Sequence, residues 1–349
     1  MTQQPWNGEN GANIGLWGAP QSGKTTFLSA INIALERSNV DLRLFGTDDA
    51  SADFLAEQTD LLHTRAFPGA TQAVELLSFE LSWTDMQSVA RTVGEGRRAR
   101  TVREMHQVGR SVRIEMRDVP GKVFGPGRPV ERAGQGASVS FDDDPDPVSV
   151  RRAANAPDTE VIDHLAACSG MILLVDPIQE VKDGSAYNYF QATLGRVAQR
   201  RLRGLGRGAR LPHNIAVCMT KLDHPAVYSL AQRGNYRVLD MTTRQQFPQI
   251  PEDRAQRFLL DFCYPSPESH IDLFCSSLRR FFYESRVRFF ATSSIGFYLD
   301  RRSGVFHEDD YQNSVEQANG TYRIRGDIHP INVIEPLLWL SGYAGGGRS

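Results

Sequence analysis

The sequence predicts an α/β fold with a mainly parallel β-sheet, because strand-like segments alternate with helix-like segments along most of the chain. Two strand-like segments, 171–175 and 214–219, are almost continuously apolar, which is typical of central strands covered on both faces. A glycine-bounded turn at 18–23 separates a short apolar segment from one with helical spacing of apolar residues. These features predict three layers, with helices on both faces of the sheet.

Changes in apolar spacing set the limits of the predicted elements. The predicted strands cover 12–17, 41–45, 75–83, 111–117, 171–175, 214–219 and 287–292. The predicted helices cover 23–37, 50–62, 158–168, 187–202, 253–263 and 271–283, with a buried closing helix at 331–340. Because 111–117 alternates apolar and charged residues, we expect it nearer an edge of the sheet and paired with 75–83.

We predict a single elaborated domain over 12–340, between a flexible leader at 1–11 and a flexible tail at 341–349. Three segments have the composition of insertions between core elements, and they lie at about 91–110, 125–156 and 224–268. The first is rich in arginine and glycine and predicts a basic connection between two strands. The second is poor in apolar residues and predicts disorder, whereas the third contains a helix of its own.

Composition excludes several classes of function. The 39 Lys and Arg residues nearly balance the 41 Asp and Glu residues, so a dedicated nucleic-acid binder is not expected. The 4 cysteines are scattered without a CxxC pair, and they predict reduced thiols rather than a disulfide framework or zinc site. No apolar segment approaches the roughly 20 residues that span a bilayer. We therefore expect a cytoplasmic protein without a transmembrane segment.

The strongest local pattern is Gly18-Ala-Pro-Gln-Ser-Gly23-Lys24-Thr25, which fits GxxxxGK[ST] at every constrained position. Glycine at both ends allows backbone angles that side chains forbid, and it lets amides approach phosphate oxygens. The following helix directs the positive end of its dipole at the same anion. We expect Lys24 to contact the β- and γ-phosphates of a nucleotide, and the Thr25 hydroxyl to hold Mg²⁺. The predicted phosphate-binding residues are Gly18, Ser22, Gly23, Lys24, Thr25 and Thr26.

Two carboxylates compete for a second role at the magnesium ion. Asp176 follows Met-Ile-Leu-Leu-Val, a pattern similar to the apolar strand and aspartate of P-loop ATPases. Asp118 begins Asp118-Val-Pro-Gly121, directly after the alternating strand. This DxxG sequence resembles the Ras-like and translation-factor superfamily of GTPases. The resemblance implies that Asp118 contacts Mg²⁺ through water and that the Gly121 amide senses the γ-phosphate.

Two later segments extend the resemblance. Thr220-Lys221-Leu-Asp223 follows the apolar strand at 214–219 and resembles the [NT]KxD guanine motif. An aspartate there accepts hydrogen bonds from guanine N1–H and the 2-amino group, whereas adenine leaves it without a donor. Ala291-Thr-Ser293-Ser294 resembles the loop whose backbone amide meets guanine O6. Because these motifs follow successive strands, they indicate a GTP or GDP site at one edge of the sheet.

The resemblance also implies a switch threonine before the strand that pairs with the DxxG strand, and Thr71 has that position. A plain loop threonine is the competing interpretation of Thr71. Residue 122 is lysine, where many Ras-like enzymes have a water-orienting glutamine, so we expect slow hydrolysis unless a protein partner supplies a catalytic group. The overall layout also resembles bacterial double-GTPase proteins of conflict systems. Two alternatives stay open: an ATP-dependent P-loop NTPase or kinase that uses Asp176, and a nucleotide-bound scaffold without turnover.

Overall fold

The computed structural model describes residues 12–38, 41–69, 75–93, 100–118, 159–206, 208–318 and 320–342. Its central strands are β1 (Ala12–Gly18), β2 (Leu42–Gly46), β3 (Glu75–Val93), β4 (Arg100–Asp118), β5 (Gly170–Val175), β6 (Asn214–Met219) and β9 (Val287–Ala291). Two short hairpins consist of β7 (Val238–Leu239) with β8 (Pro248–Gln249), and β10 (Ser314–Glu316) with β11 (Tyr322–Ile324). The central sheet has seven strands in the order β2-β3-β4-β1-β5-β6-β9.

The sheet is mainly parallel. Strands β4, β1, β5, β6 and β9 run in one direction, whereas β3 pairs antiparallel with both β2 and β4. All residues of β5 and β6 are buried, as the continuously apolar segments predict. The prediction of an α/β fold with a mainly parallel sheet is therefore confirmed.

Helices pack on both faces of this sheet. They are α1 (Lys24–Arg37), α2 (Asp49–His63), α3 (Thr159–Ala167), α4 (Pro177–Asp183), α5 (Ser185–Leu202), α6 (Pro225–Arg233), α7 (Glu252–Cys263), α8 (Ile271–Phe281) and α9 (Glu335–Ser341). One apolar core joins the sheet to α1, α2 and α9. A second core joins the opposite face to α3, α5, α6, α7 and α8. Within the described ranges, no helix combines the length and apolar character needed to cross a bilayer.

The ends of several helices follow from local chemistry. Helix α2 begins after Asp48, whose side chain accepts a hydrogen bond from the Ser51 amide at 2.8 Å. Helix α4 begins after Asp176 with Pro177 at its first position, and it ends at Gly184, where φ is 63°. Helix α4 is not predicted from the sequence, because its 7 residues have too few apolar positions to show a helical period.

The prediction that β4 lies nearer an edge of the sheet is wrong, because β4 lies between β3 and β1 in its interior. Its pairing with β3 agrees with the prediction. The alternation arises because Val112, Ile114 and Met116 are buried on one face, while Arg113 on the other face is exposed. Alternation of apolar and polar residues thus indicates that one face of the strand is exposed to solvent. An interior strand can show this alternation as well as an edge strand.

The predicted insertion at 91–110 needs correction. Residues 91–93 continue β3 and residues 100–110 belong to β4, so both strands extend beyond the central sheet as a two-stranded ribbon. Polar and arginine-rich composition concealed these strand extensions. The segment 125–156, the leader and residues 343–349 lie outside the described residues. The segment 224–268 contains the predicted helix as α7, together with α6 and the β7–β8 hairpin.

Glu180 gives the first testable consequence of the packing. Its side chain is fully buried, and its carboxylate accepts hydrogen bonds from the Tyr187 amide at 2.9 Å, the His270 amide at 2.8 Å and the Ser269 hydroxyl at 3.1 Å. These bonds attach the segment before α8 to α4. We expect Glu180→Ala to lower the free energy of unfolding by roughly 2–4 kcal/mol, because it removes charge-assisted bonds and leaves buried donors unpaired. Urea unfolding measures this loss.

The matched control is Glu57→Ala, which removes an exposed glutamate from the surface of α2. We expect this change to stay within about 0.5 kcal/mol of the parent. Equal effects of the two substitutions would contradict the structural role of Glu180.

His213 predicts how stability depends on pH. The residue is fully buried before β6, and burial lowers the pKa of its imidazole from 6.5 to about 4. As the pH falls from 6.5 towards 4, this imidazole therefore becomes protonated in the unfolded chain but stays neutral in the folded chain. Stability should fall over that interval, by up to about 1.4 kcal/mol per pH unit for one proton.

We expect His213→Gln to flatten this dependence in urea titrations at pH 7, 6 and 5. His63→Gln, at an exposed position, should keep the slope of the parent. The burial of His329 also lowers its pKa to about 4, so part of the slope should remain after His213 is replaced. An unchanged slope in His213→Gln would show that the buried imidazole makes no such contribution.

Candidate functional site

The loop between β1 and α1 is a close-packed turn at the carboxyl edge of the sheet. A Cβ at Gly18 would lie 2.6 Å from the Leu174 carbonyl oxygen and 2.7 Å from Ser22 Oγ, so only glycine fits there. Gly23 has φ of 89°, in the region that favours glycine, and α1 begins at the next residue. The sequence pattern thus has a direct steric basis in this loop.

Two side chains of the loop have distinctive surroundings. Ser22 is fully buried, and its Oγ has no hydrogen-bond partner among the described residues. The Lys24 ammonium folds back over the loop and donates to the carbonyl oxygens of Gly18 at 3.2 Å and Ala19 at 3.3 Å. Thr25 and Thr26 are half-buried in the first turn of α1. The loop therefore places an ammonium group, a buried hydroxyl and a helix N-terminus around one small volume.

Residues 220–223 form a turn at the end of β6. The Thr220 amide donates to the Val175 carbonyl at 2.9 Å, and the Leu222 amide donates to the Thr292 carbonyl at 3.0 Å. Lys221 has φ of 61°, and its ammonium group lies 2.5 Å from Asp176 Oδ2. The turn is thus attached to the ends of both neighbouring strands, β5 and β9.

Asp176 uses both of its carboxylate oxygens within the protein. Its side chain is 1% exposed, and Oδ1 accepts from the amides of Ile178 at 3.0 Å and Gln179 at 3.4 Å. Oδ2 is paired with Lys221. Asp176 therefore caps α4 and holds Lys221, which is the role of a positioning group.

Asp223 lies beside the segment that follows β9. The Ser293 hydroxyl donates to Asp223 Oδ1, and the Gly296 amide donates to Ser293 Oγ at 2.8 Å. Burial raises the pKa of Asp223 above 3.8, while the hydrogen bond from Ser293 opposes that rise. The Ser293 bond thus fixes the direction of a half-buried carboxylate.

A cavity of 810 Å³ joins these parts of the molecule. Seven of the residues that the sequence predicts for the site line it, namely Ser22, Gly23, Thr26, Thr220, Lys221, Asp223 and Ser294. Gly18, Lys24 and Thr25 belong to the same loop as Ser22, and Ser293 reaches the cavity through its bond to Asp223. The fold therefore assembles residues that lie far apart in the sequence.

The remaining predicted residues belong to the third motif. Asp118 ends β4 two residues after Met116, which is aligned with Leu16 two residues before Gly18. The backbone of Asp118 is thus at the same edge of the sheet as Gly18. The Asp118 side chain, Thr71 and Gly121 lie outside the described residues.

Sequence reasoning misses a large part of the cavity wall. The unpredicted lining residues are Gln21, Thr64, Arg65, Ala66, Phe67, His224, Ile295, Ser314, Gln317, Thr321, Tyr322 and Arg323. Most of them come from the segment 64–67 or from the β10–β11 hairpin. The hairpin had a usable signal, since Asn319-Gly320 between two short strand-like segments is a strong hairpin pattern. No local pattern identifies the segment 64–67.

Three cationic side chains and one acidic side chain line the cavity among the described residues. Lys221, Arg65 and Arg323 line it, and Asp223 is its one acidic residue among those described. Burial and the nearby Lys221 lower the pKa of the His224 imidazole. Across the described ranges, no cluster of three His, Cys, Asp or Glu side chains could hold a metal ion by itself.

No protein-family model matches the sequence, and no curated protein sequence matches it either. Among solved structures, the chain is similar to the crystal structure of the S. cerevisiae Ski7 GTPase-like domain bound to GTP. The TM-score is 0.26 and the identity 10%, over 82% of this chain and 43% of that one. The chain thus spans less than half of that structure, and at this TM-score the likeness does not establish a shared fold.

Proposed function

We propose that the chain binds a nucleoside triphosphate in the 810 Å³ cavity, as P-loop proteins do. The observation that carries this proposal is the cavity itself, because it joins the Gly18–Thr25 loop to residues 220–223 and to Ser294. The buried Ser22 hydroxyl, with no partner among the described residues, is consistent with a ligand that supplies one.

The phosphates would lie on the Gly18–Thr25 loop. The Lys24 ammonium donates to the carbonyl oxygens of Gly18 at 3.2 Å and Ala19 at 3.3 Å. Phosphate oxygens form stronger, charge-assisted bonds with an ammonium group, so binding would replace these contacts by better ones. The amides at the start of α1 add the positive end of the helix dipole.

The base would lie beside Asp223, and we propose that it is guanine. A carboxylate accepts hydrogen bonds from guanine N1–H and the 2-amino group, whereas adenine offers no donor at the matching ring position. The bond from Ser293 holds the carboxylate in one orientation, which favours recognition of a single base. Lys221, held by Asp176, would lie against the plane of the base.

Magnesium fits the oxygen donors that the motifs provide. Thr25 and Asp118, with Thr71, are the residues that would hold the ion, and Mg²⁺ prefers such oxygen ligands together with phosphate and water. When bound, the ion neutralises phosphate charge. We further propose that Gly121 and Thr71 respond to the γ-phosphate and that hydrolysis is slow until a protein partner supplies a group that Lys122 cannot. The chain would then act as a GTP-dependent switch, and its place in a bacterial conflict system stays a prediction.

A matched pair of variants separates this proposal from the ATPase alternative. We expect Asp118→Asn to reduce the gain in nucleotide affinity on adding Mg²⁺ by at least about tenfold. Asp176→Asn keeps a side chain that can cap α4, so it should preserve the dependence on Mg²⁺. Titration of each variant with a fluorescent GTP analogue, with and without Mg²⁺, measures both effects.

The opposite pattern would favour the alternative. If Asp176→Asn abolished the Mg²⁺ effect and Asp118→Asn did not, the magnesium role would move to Asp176 and the GTPase assignment would lose its main support. GTP turnover measured on the parent decides between a switch and a scaffold that binds without hydrolysis.

A further inference from the structure

Two further segments line the cavity, and neither belongs to a recognised motif. One lies in the C-terminal part of the chain, and the other directly follows α2. They are the β10–β11 hairpin, described at 314–318 and 320–324, and the segment 64–67. We propose that together they form a ribose clamp, which binds the sugar hydroxyls of the nucleotide. This inference rests on the proposed function and adds a determinant that none of the sequence motifs contains.

The hairpin is fixed to the loop beside the proposed base site. Asn313 is 1% exposed, and its amide nitrogen donates to the carbonyl oxygens of Ile295 at 3.0 Å and Asp327 at 3.1 Å. Its amide oxygen accepts from the Gly326 amide at 2.8 Å. Ile295 directly follows Ser294, so the base of the hairpin has a set distance from the residues assigned to guanine.

The segment 64–67 is attached to the hairpin by one hydrogen bond and to the residues directly after the hairpin by two more. The Ile324 amide donates to the Arg65 carbonyl at 3.1 Å, and the Arg65 guanidinium donates to Asp327 at 3.2 Å and to the Arg325 carbonyl at 3.4 Å. Below them, Phe67 packs on an apolar cluster separate from the two main cores, which consists of Ile33, Leu62, Ile295, Ile324 and Ile328. The two segments therefore form one structural unit.

The chemistry of the hairpin wall suits a sugar. The Gly18–Thr25 loop and Asp223 set the positions of phosphate and base, so the ribose would lie between them. Ser314, Gln317 and Thr321 line this wall with neutral hydroxyl and amide groups, which are donors and acceptors for hydroxyls. Gln317 and Thr321 are hydrogen-bonded to each other, since the Thr321 hydroxyl donates to the Gln317 amide oxygen at 3.0 Å. This bond limits the orientations of both side chains.

The test compares GTP with 2′,3′-dideoxy-GTP, by competition against a fluorescent GTP analogue. We expect the parent to bind GTP about tenfold or more tightly, since one or two hydrogen bonds to the sugar are worth about 1.4 kcal/mol. In Gln317→Ala combined with Thr321→Val, this preference should fall towards unity while the preference for GTP over ATP remains. Glu316→Ala is the control, because it changes an exposed hairpin residue that does not line the cavity.

The outcomes are distinct. Equal binding of the two ligands by the parent would overturn the clamp and leave the proposed function intact, and this comparison needs no variant to fold. A preference that persists in the double variant would also overturn it. A parent that binds no guanine nucleotide would overturn the proposed function, and the clamp with it.

Discussion

Lys24→Ala is expected to weaken nucleotide binding by at least about 100-fold. The ammonium group is the cation of the Gly18–Thr25 loop, and it lies close enough to the loop to donate to the Gly18 and Ala19 carbonyls. In the bound state it would make two charge-assisted bonds to phosphate, which together contribute roughly 3 kcal/mol or more. Isothermal titration of the parent and the variant with GTP and Mg²⁺ measures the loss.

Lys182→Ala is the matched control, because Lys182 is exposed near the end of α4, outside the cavity. It should leave the affinity unchanged. Thermal unfolding of Lys24→Ala without nucleotide shows whether the loop survives the loss of the ammonium contacts. Retained affinity in a folded Lys24→Ala protein would be incompatible with phosphate binding by this loop.

Asp223→Asn is expected to change the binding preference of the site from guanine to xanthine nucleotides. The asparagine amide offers a donor where the carboxylate accepted a bond from the 2-amino group, and xanthine has a carbonyl at that position. The Ser293 hydroxyl can still donate to the amide oxygen, so the side chain should keep its orientation. We expect the affinity for GTP to fall by about 100-fold and that for xanthosine triphosphate to rise, since a buried unpaired polar group costs about 1–3 kcal/mol.

Asp272→Asn, at an exposed position in the first turn of α8, is the control for the loss of a carboxylate. Competition of both nucleotides against a fluorescent analogue gives the two affinities in one assay. If Asp223→Asn bound GTP as well as the parent does, and xanthosine triphosphate no better, then Asp223 does not contact the base.

The sequence predicts the parts of this molecule whose signals are local. Strands β5 and β6 are visible because both faces are covered, which makes nearly every residue apolar. The Gly18–Thr25 loop is visible because steric contacts leave only glycine at position 18 and favour glycine at position 23. In both cases the physical constraint acts on the residues that show it.

The parts that escape prediction depend on contacts distant in the sequence. Asp176 has an ambiguous motif, and its pairing with Lys221 is settled only when β5 and β6 lie side by side. The cavity wall at 64–67 depends on the bonds of Arg65 to Asp327 and Ile324, which no local pattern encodes. The strand extensions at 91–93 and 100–110 escape prediction because their arginine-rich sequence has no apolar alternation.

The central claim is that the cavity between the Gly18–Thr25 loop and Asp223 binds a guanine nucleotide. The most direct measurement is a titration of the purified protein with a fluorescent GTP analogue and Mg²⁺, competed by unlabelled GTP and ATP. The account predicts that GTP competes at least about tenfold better than ATP, a difference of about 1.4 kcal/mol. Equal competition, or better competition by ATP, would contradict the assignment of Asp223 to guanine.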